Sequence, residues 1–269
     1  MKKIKIPIIR ESKQKFIKEN TETQTISFEE FKIQVTNLQN IHSLLMTRSA
    51  TIQQIKTKYN MKIGIIGAGW IADKMAETLT GLDSTMKYAI AARDLGRARE
   101  FARRWNFQKA YGSYKELVED PEVELVYVAT PHSHHFEHSS LAINAGKPVL
   151  CEKAFTANAR EADALLNLAH KKGVFITEAI WTRYMPLSFK VKELLESGAI
   201  GEPRLLNASL CYMMEFKERI LCPELCGGAL LDLGVYSINF CRMYFGADIV
   251  DETSNCIKSS TGMDMHNSI

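Results

Sequence analysis

Met61-Lys62-Ile63-Gly64-Ile65-Ile66-Gly67-Ala68-Gly69-Trp70-Ile71-Ala72 is a short β-rich run that ends in a glycine turn and opens into a helical pattern. Its last six residues fit G-x-G-x-x-A. In that spacing Gly67 permits a tight turn, Gly69 lets backbone approach a pyrophosphate, and small Ala72 lets the following helix pack on the strand. The helix N-terminus then offers free N–H groups and the positive end of its dipole to the phosphates. The order strand, glycines, helix separates a dinucleotide site from a merely structural glycine turn. Trp70 and Ile71, inside the turn, join Gly67, Gly69 and Ala72 as cofactor-binding candidates.

Working outward, β-rich runs recur at 61–66, 86–92, 123–129, 147–151 and 174–178. Helical stretches lie between them at about 71–81, 95–105, 113–119, 134–145 and 158–172. Strands alternating with helices predict βαβ units and an α/β fold with a doubly wound parallel sheet of Rossmann type. The second strand decides which dinucleotide is bound. An NAD site usually ends that strand in Asp or Glu, which holds the ribose hydroxyls. Here it ends Ala91-Ala92-Arg93-Asp94, so Arg93 is placed to fork onto a 2′-phosphate, and NADP is expected over NAD. Arg97, one turn into the next helix, is a second cation for the same role.

After Pro186 the rhythm changes. A helix near 187–197 stops at Gly198, a strand-like run covers Arg204–Met214, an apolar helix runs from Gly227-Gly228 to about Phe245, and strand candidates follow at 248–258 and 263–269. Consecutive strands predict an α+β domain with an open, mainly antiparallel sheet that looks incomplete. The expected division is an extension at 1–60, a dinucleotide-binding domain at 61–180 and a partial substrate and dimerisation domain at 181–269. All fifteen glycines, all three tryptophans and all six cysteines lie beyond residue 60. The first sixty residues, with helical candidates at Phe28–Met46 and Ser49–Tyr59, read as a solvated or irregular extension.

Composition excludes several classes. The chain is 46% hydrophobic and 24% charged, the balance of a globular protein, and no apolar run approaches a membrane span. Residues 1–60 carry eleven Lys/Arg against five Asp/Glu, and the remainder 23 against 26. The basic surplus of the extension is dispersed among Thr, Gln and Asn without aromatic interleaving, which argues against nucleic acid and membrane partners. Its head is too short for a signal peptide and carries glutamates, so the cytoplasm is expected. The six cysteines have no framework spacing and form no CxxC pair. His134 and His138 are four apart on a helical pattern, but no carboxylate or cysteine has the spacing to complete a metal site.

Five ordered segments carry a resemblance: GIIGAGWIA at 64–72, ATPHSHHFEH at 129–138, AGKPVLCEKA at 145–154, AIWTRY at 179–184 and GGALLDLGVYSIN at 227–239. From residue 61 onward the chain resembles the Gfo/Idh/MocA oxidoreductase family, and within it the dihydrodiol dehydrogenase branch, whose members also oxidise D-xylose with NADP. The resemblance implies hydride transfer between nicotinamide and a cyclic polyol, a trans-dihydrodiol or an aldopyranose, and a homodimer. It matches Lys153 to the lysine of the family's EKP motif, beside the hydroxyl being oxidised, with Ala154 here in place of proline. It matches Asp232 and Tyr236 to the aspartate and the acid/base group of the D-x-G-x-H/Y segment, and His135 to a histidine near cofactor and substrate. Thr130, Pro131 and Glu152 fall with Lys153 at the cofactor, and Trp181 and Arg183 at the substrate. The residue chemistry agrees: an ammonium beside a hydroxyl stabilises a developing alkoxide, and a lysine near Tyr236 is expected to lower the phenol's pKa. An i, i+4 pair places Asp232 and Tyr236 on one helix face. The competing expectation is a truncated or inactive paralogue that binds NADP without turnover.

Overall fold

A computed structural model describes residues 60–269 other than 214–216 and 247. The extension and its two helical candidates lie outside the described residues. Strand β1 (Met61–Ile66) leads through the glycine turn into α1 (Trp70–Thr80), then come β2 (Thr85–Ala91), α2 (Leu95–Trp105), β3 (Lys109–Tyr111), α3 (Tyr114–Glu119) and β4 (Leu125–Val128). A 3-10 turn at His132–His134 runs into α4 (His135–Asn144), followed by β5 (Val149–Cys151), α5 (Ala159–Lys172) and β6 (Ile176–Glu178). The six strands form one parallel sheet in the order β3-β2-β1-β4-β5-β6. Strand order reverses between β1 and β4, and the crevice outside their carboxyl ends is where such sheets bind ligands.

Both faces of the sheet are covered, which is why its strands read as continuous apolar runs rather than alternating ones. Ile63, Ile65, Ile90 and Tyr127 pack with Ala72, Ala76, Leu79 and Phe101 of α1 and α2. On the opposite face Ile66, Val126, Val128 and Val149 pack with Leu117, Val118, Ile143 and Leu165 of α3, α4 and α5. Each such aliphatic side chain contributes roughly 1.5–3 kcal/mol by burial. Local chemistry sets the helix limits. Asp94 caps α2 by accepting from the Arg97 amide at 2.7 Å, Ser113 caps α3 and Asn158 caps α5. Asn106 and Gly173 end α2 and α5 in the left-handed conformation.

Strand β3 is an addition to the sequence reading. Only three residues long, it is held at its place by Asp120, which accepts from Lys109 Nζ at 2.8 Å, Tyr111 Oη at 2.6 Å and the Glu122 amide at 2.9 Å. Burial pushes this carboxyl up, but the hydrogen bonds from Lys109, Tyr111 and the Glu122 amide prevail and hold it at about 2. A depressed folded-state pKa contributes stability that is present above the unfolded carboxyl value and is lost as pH falls through about 2. Asp120→Asn is therefore expected to melt earlier than the parent at pH 7, with the deficit vanishing near pH 2. Thermal unfolding followed by circular dichroism across that range checks it; a deficit independent of pH would contradict the assignment.

Beyond β6 lie a 3-10 turn at Trp181–Tyr184, α6 (Pro186–Glu196), α7 (Glu218–Leu221), a 3-10 turn at Pro223–Leu225, a π-helical turn at Leu230–Gly234 and α8 (Val235–Phe245). An antiparallel pair, β7 (Asn255–Lys258) and β8 (Asp264–Ser268), follows. The strand-like run expected at Arg204–Met214 carries no strand over 204–213, and Met214 lies outside the described residues. Alternating apolar residues make a strand only against a partner, and among the described residues none pairs with it. The candidate at 248–258 shortens to β7 for the same reason. Among the described residues no helix is long and apolar enough to cross a membrane.

Candidate active site

Three loops meet at the carboxyl ends of β1, β4 and β5. In the first, Gly67 takes φ +100, and a Cβ there would sit 2.8 Å from the Ala129 carbonyl oxygen. Gly69 is the N-cap of α1 with no side-chain cap, and a Cβ at Gly69 would meet nothing within 4 Å. First-turn amides with no capping side chain, opening on free space, fit a pyrophosphate. Ala72 is fully buried, Ile71 packs on the core behind it, and Trp70 is 69% exposed. A cavity of about 280 Å³ beside the turn is lined by Gly69, Trp70, Asp73, Arg97 and Arg104. Arg97 folds onto the turn, donating to the Ala68 carbonyl from Nε at 3.2 Å and Nη2 at 2.9 Å. Arg93 is exposed beyond the end of β2.

The second loop follows β4. Thr130 shares a hydrogen bond between Oγ1 and His138 Nδ1 at 2.9 Å, and Pro131 opens the 3-10 turn. His135 is fully buried, with Nδ1 2.7 Å from the Ala154 carbonyl and Nε2 2.7 Å from the Thr130 carbonyl. Burial disfavours the charged ring, whereas the two carbonyls favour it. The neutral ring donates to one of these carbonyls only, and its other nitrogen faces the second carbonyl, so both ring edges point at backbone. His135, expected near cofactor and substrate, thus ties the second loop to the third. His132, pushed down to about 4 by burial, lies with Nδ1 3.0 Å from the Cys226 carbonyl.

The third loop is Glu152–Ala154. Glu152 is half-buried, accepts a short hydrogen bond from Tyr127 and receives the Lys153 amide at 3.2 Å. Burial raises its pKa. Lys153 donates from Nζ to the Asp232 carbonyl at 2.8 Å and to Asp232 Oδ1 at 3.2 Å. Its Nζ also stands 5.3 Å from the centroid of the Tyr236 ring. Lys153, Asp232 and Tyr236 are therefore together, although the turn carrying Asp232 is π-helical rather than the α-helix that the i, i+4 reading assumed.

Asp232 is 3% exposed; burial alone would raise its carboxyl, but Lys153 and Arg219 override that and hold it below the usual range. Tyr236 departs from expectation. Lys153 faces its ring rather than its hydroxyl, and burial raises the phenol above its ordinary value, only partly opposed by the hydrogen bond from Trp181. Trp181 Nε1 donates to that hydroxyl at 3.0 Å, with the two rings edge to face. Arg183 is fixed by a short hydrogen bond to Asn239 three residues beyond Tyr236. One member of this cluster escaped the sequence reading: Arg219 of α7, whose Nη2 lies 2.8 Å from Asp232 Oδ1. Nothing in Glu218-Arg219-Ile220-Leu221 marks it as a site residue.

Residues 61–179 match the model of an oxidoreductase family with an NAD-binding Rossmann fold, and residues 189–265 match the GFO/IDH/MocA C-terminal domain. The chain is 42% identical over 196 residues to trans-1,2-dihydrobenzene-1,2-diol dehydrogenase of Mus musculus, a match covering 72% of this chain and 59% of the mouse protein. It is 43% identical over 204 residues to D-xylose 1-dehydrogenase (NADP(+)) of Hypocrea jecorina, covering 68% of this chain and 52% of the fungal one. The chain thus spans between half and three fifths of the length of these relatives. Among solved structures, a 3-ketoreductase from Actinomadura kijaniata in complex with NADP superposes with a TM-score of 0.66 at 29% identity, over 77% of this chain and 63% of that one.

Proposed function

The chain belongs to the Gfo/Idh/MocA oxidoreductase family, and from that membership we propose that it is an NADP-dependent dehydrogenase acting on the CH–OH group of a cyclic polyol. The substrate class is a trans-dihydrodiol or an aldopyranose such as D-xylose, the compounds that name its relatives. The observation that carries the proposal is the meeting of Lys153, Asp232 and Tyr236 beside the crevice of the parallel sheet. In this reading Gly67, Gly69, Trp70, Ile71 and Ala72 hold the pyrophosphate, while Thr130, Pro131, Glu152 and Lys153 flank the nicotinamide end. Bound there, the nicotinamide supplies the hydride acceptor or donor.

The residues of this chain supply position and proton transfer. Tyr236 Oη accepts from Trp181 and keeps its own proton for the substrate oxygen. With its phenol raised by burial, Tyr236 rests as the acid. Carbonyl reduction then runs with the resting form, whereas alcohol oxidation needs the phenolate and accelerates as pH rises towards the phenol's pKa. Lys153 stabilises negative charge on the same oxygen, and Trp181 and Arg183 line the substrate side. All six cysteines are unpaired, which fits a cytosolic enzyme. Turnover of D-xylose or a trans-dihydrodiol with NADP⁺ by the full chain tests the proposal, and absence of turnover with both would refute it.

Cofactor choice has its own test. Asp94 commits Oδ1 to the Arg97 amide, which leaves Arg93 as the group placed to meet a 2′-phosphate. NADPH is expected to bind more tightly than NADH by tryptophan fluorescence, and Arg93→Ala to narrow the gap by about 1–3 kcal/mol. Equal affinities in the parent would remove the basis for NADP.

A further inference from the structure

Asp232 serves two cations with one oxygen. Lys153 Nζ approaches Oδ1 at 3.2 Å and Arg219 Nη2 approaches the same atom at 2.8 Å. The two cationic nitrogens therefore lie within about 6 Å of each other, a separation at which like charges repel appreciably even with protein screening. The carboxylate is almost fully buried, the lysine side chain is 14% exposed and the arginine side chain 42%. A buried carboxylate with a single lysine makes a closed, neutral pair. With the guanidinium added, the cluster carries one net positive charge.

The chain builds this contact deliberately in its backbone. Arg219 sits on a four-residue helix whose next residue, Ile220, is 3% exposed and accepts at its carbonyl from the Gly228 amide at 2.8 Å. A Cβ at Gly227 would lie 2.6 Å from the Arg219 carbonyl oxygen and overlap that of Ile220, so glycine lets the two stretches touch. Cys226, just before them, is tied through its carbonyl to His132. The charged and titratable groups around the carboxylate are Lys153, Arg219 and Tyr236, with His132 facing the two cations and Glu152 and Glu178 acting on Tyr236.

We propose that Arg219 is a positioning residue of the catalytic centre. By sharing Asp232 Oδ1 it keeps the Lys153–Asp232 pair from being a neutral unit, so that the third ammonium N–H of Lys153, which Asp232 does not take, meets the oxygen of the bound substrate from a cationic cluster. The inference rests on the dehydrogenase reading for its catalytic consequence, but the sharing itself is measurable without turnover. A hydrogen bond from Lys153 to an oxygen that gains negative charge is stronger when the cluster is cationic than when it is neutral. Arg219 thereby acts through Asp232 and Lys153 without touching the reacting atoms.

The test uses the full chain with Arg219→Gln and Arg219→Lys. In protein carrying ¹³C-carboxyl aspartate, the titration midpoint of Asp232 is expected to rise by roughly one pH unit in Arg219→Gln and to return towards the parent in Arg219→Lys. In the assay with NADP⁺ and D-xylose, Arg219→Gln is expected to lower kcat by about 10- to 100-fold with NADPH affinity unchanged, and Arg219→Lys to recover most of the loss. An unmoved Asp232 midpoint in Arg219→Gln overturns the proposal whether or not the protein turns over. So does a moved midpoint with parental kcat. If Arg219→Gln does not fold, an Arg219→Lys variant that folds and loses turnover by about tenfold or more, with Asp232 at its parental midpoint, overturns it equally. A parent without turnover but with the expected midpoint shift supports the shared carboxylate and counts against the dehydrogenase reading alone.

Discussion

Tyr236→Phe is expected to lower kcat by about 10²–10⁴ while leaving NADPH affinity nearly unchanged. The substitution removes one oxygen and keeps the ring, so the edge-to-face contact with Trp181 and the placement of Lys153 over the ring face survive. What is lost is the proposed proton carrier. The oxidation rate should also lose its rise at alkaline pH, because the phenol whose deprotonation drives that rise is gone. Lys153→Met should be at least as damaging, since it withdraws the charge at the substrate oxygen and leaves buried Asp232 with Arg219 as its remaining cation among the described residues. Steady-state kinetics in both directions across pH, with NADPH affinity measured in parallel, decide the matter. A Tyr236→Phe protein with near-parental turnover would move proton transfer to another group, and His135, whose ring edges face two backbone carbonyls, would be a poor successor.

Gly67→Ala is expected to be the most damaging single methyl group in the proposed dinucleotide site. The added carbon meets the Ala129 carbonyl oxygen at 2.8 Å, and φ +100 is a conformation that an alanine adopts only under strain. Strain of this type costs about 1–3 kcal/mol before the clash is relieved. Relief requires β1 and the loop after β4 to separate, although the Ala129 amide is hydrogen-bonded to the Ile66 carbonyl at 2.9 Å. NADPH affinity should therefore fall by on the order of a hundredfold or more, together with thermal stability. Gly69→Ala is the control: its Cβ enters open space, so folding should persist while close approach of a phosphate is hindered. Isothermal calorimetry and thermal melts separate the two, and parental affinity in Gly67→Ala would remove the turn from the binding site.

Much of the fold was legible because its signals are local. Apolar runs bounded by glycine, and helices capped by Asp94, Ser113 and Asn158, announce themselves within a few residues. Strand β3 was not legible: Lys109-Ala110-Tyr111 has too few residues for a period, and its place depends on Asp120 eleven positions on from Lys109. The run at 204–213 failed in the opposite direction, since its alternating pattern states only what a strand would bury and not whether a partner exists.

The candidate site was legible through the order of its motifs, not through any single residue. Lys153 and Asp232 are 79 positions apart, and no periodicity joins them. Their meeting followed from the family resemblance. Arg219 lay in a stretch without motif. The sign of the Tyr236 shift was misread because sequence places a lysine near the phenol but says nothing of how much water burial removes. The two backbone carbonyls that flank His135 were not legible either, since one lies 19 residues away.

The π-helical turn at Leu230–Gly234 has a consequence for how this chain tolerates change in length. Each residue of an α-helix turns the direction of side chains by about 100°, and a π-helical turn contains one residue more than the α-helical turn it replaces. The segment is pinned at its start by Asp264, which accepts from the Leu230 amide at 2.6 Å. A one-residue deletion inside it would be absorbed by conversion to an α turn and would leave α8 facing as before, whereas a deletion just after it has no surplus residue to draw on and would rotate the rest of α8 by about a quarter turn. Such a rotation would carry Tyr236 and Asn239 away from Trp181 and Arg183 while leaving every residue in place. The turn itself tolerates the loss of one residue, but from Val235 onward the chain is sensitive to count rather than to composition, so an alignment that slides a gap from the turn into α8 would misjudge which side chains face the crevice.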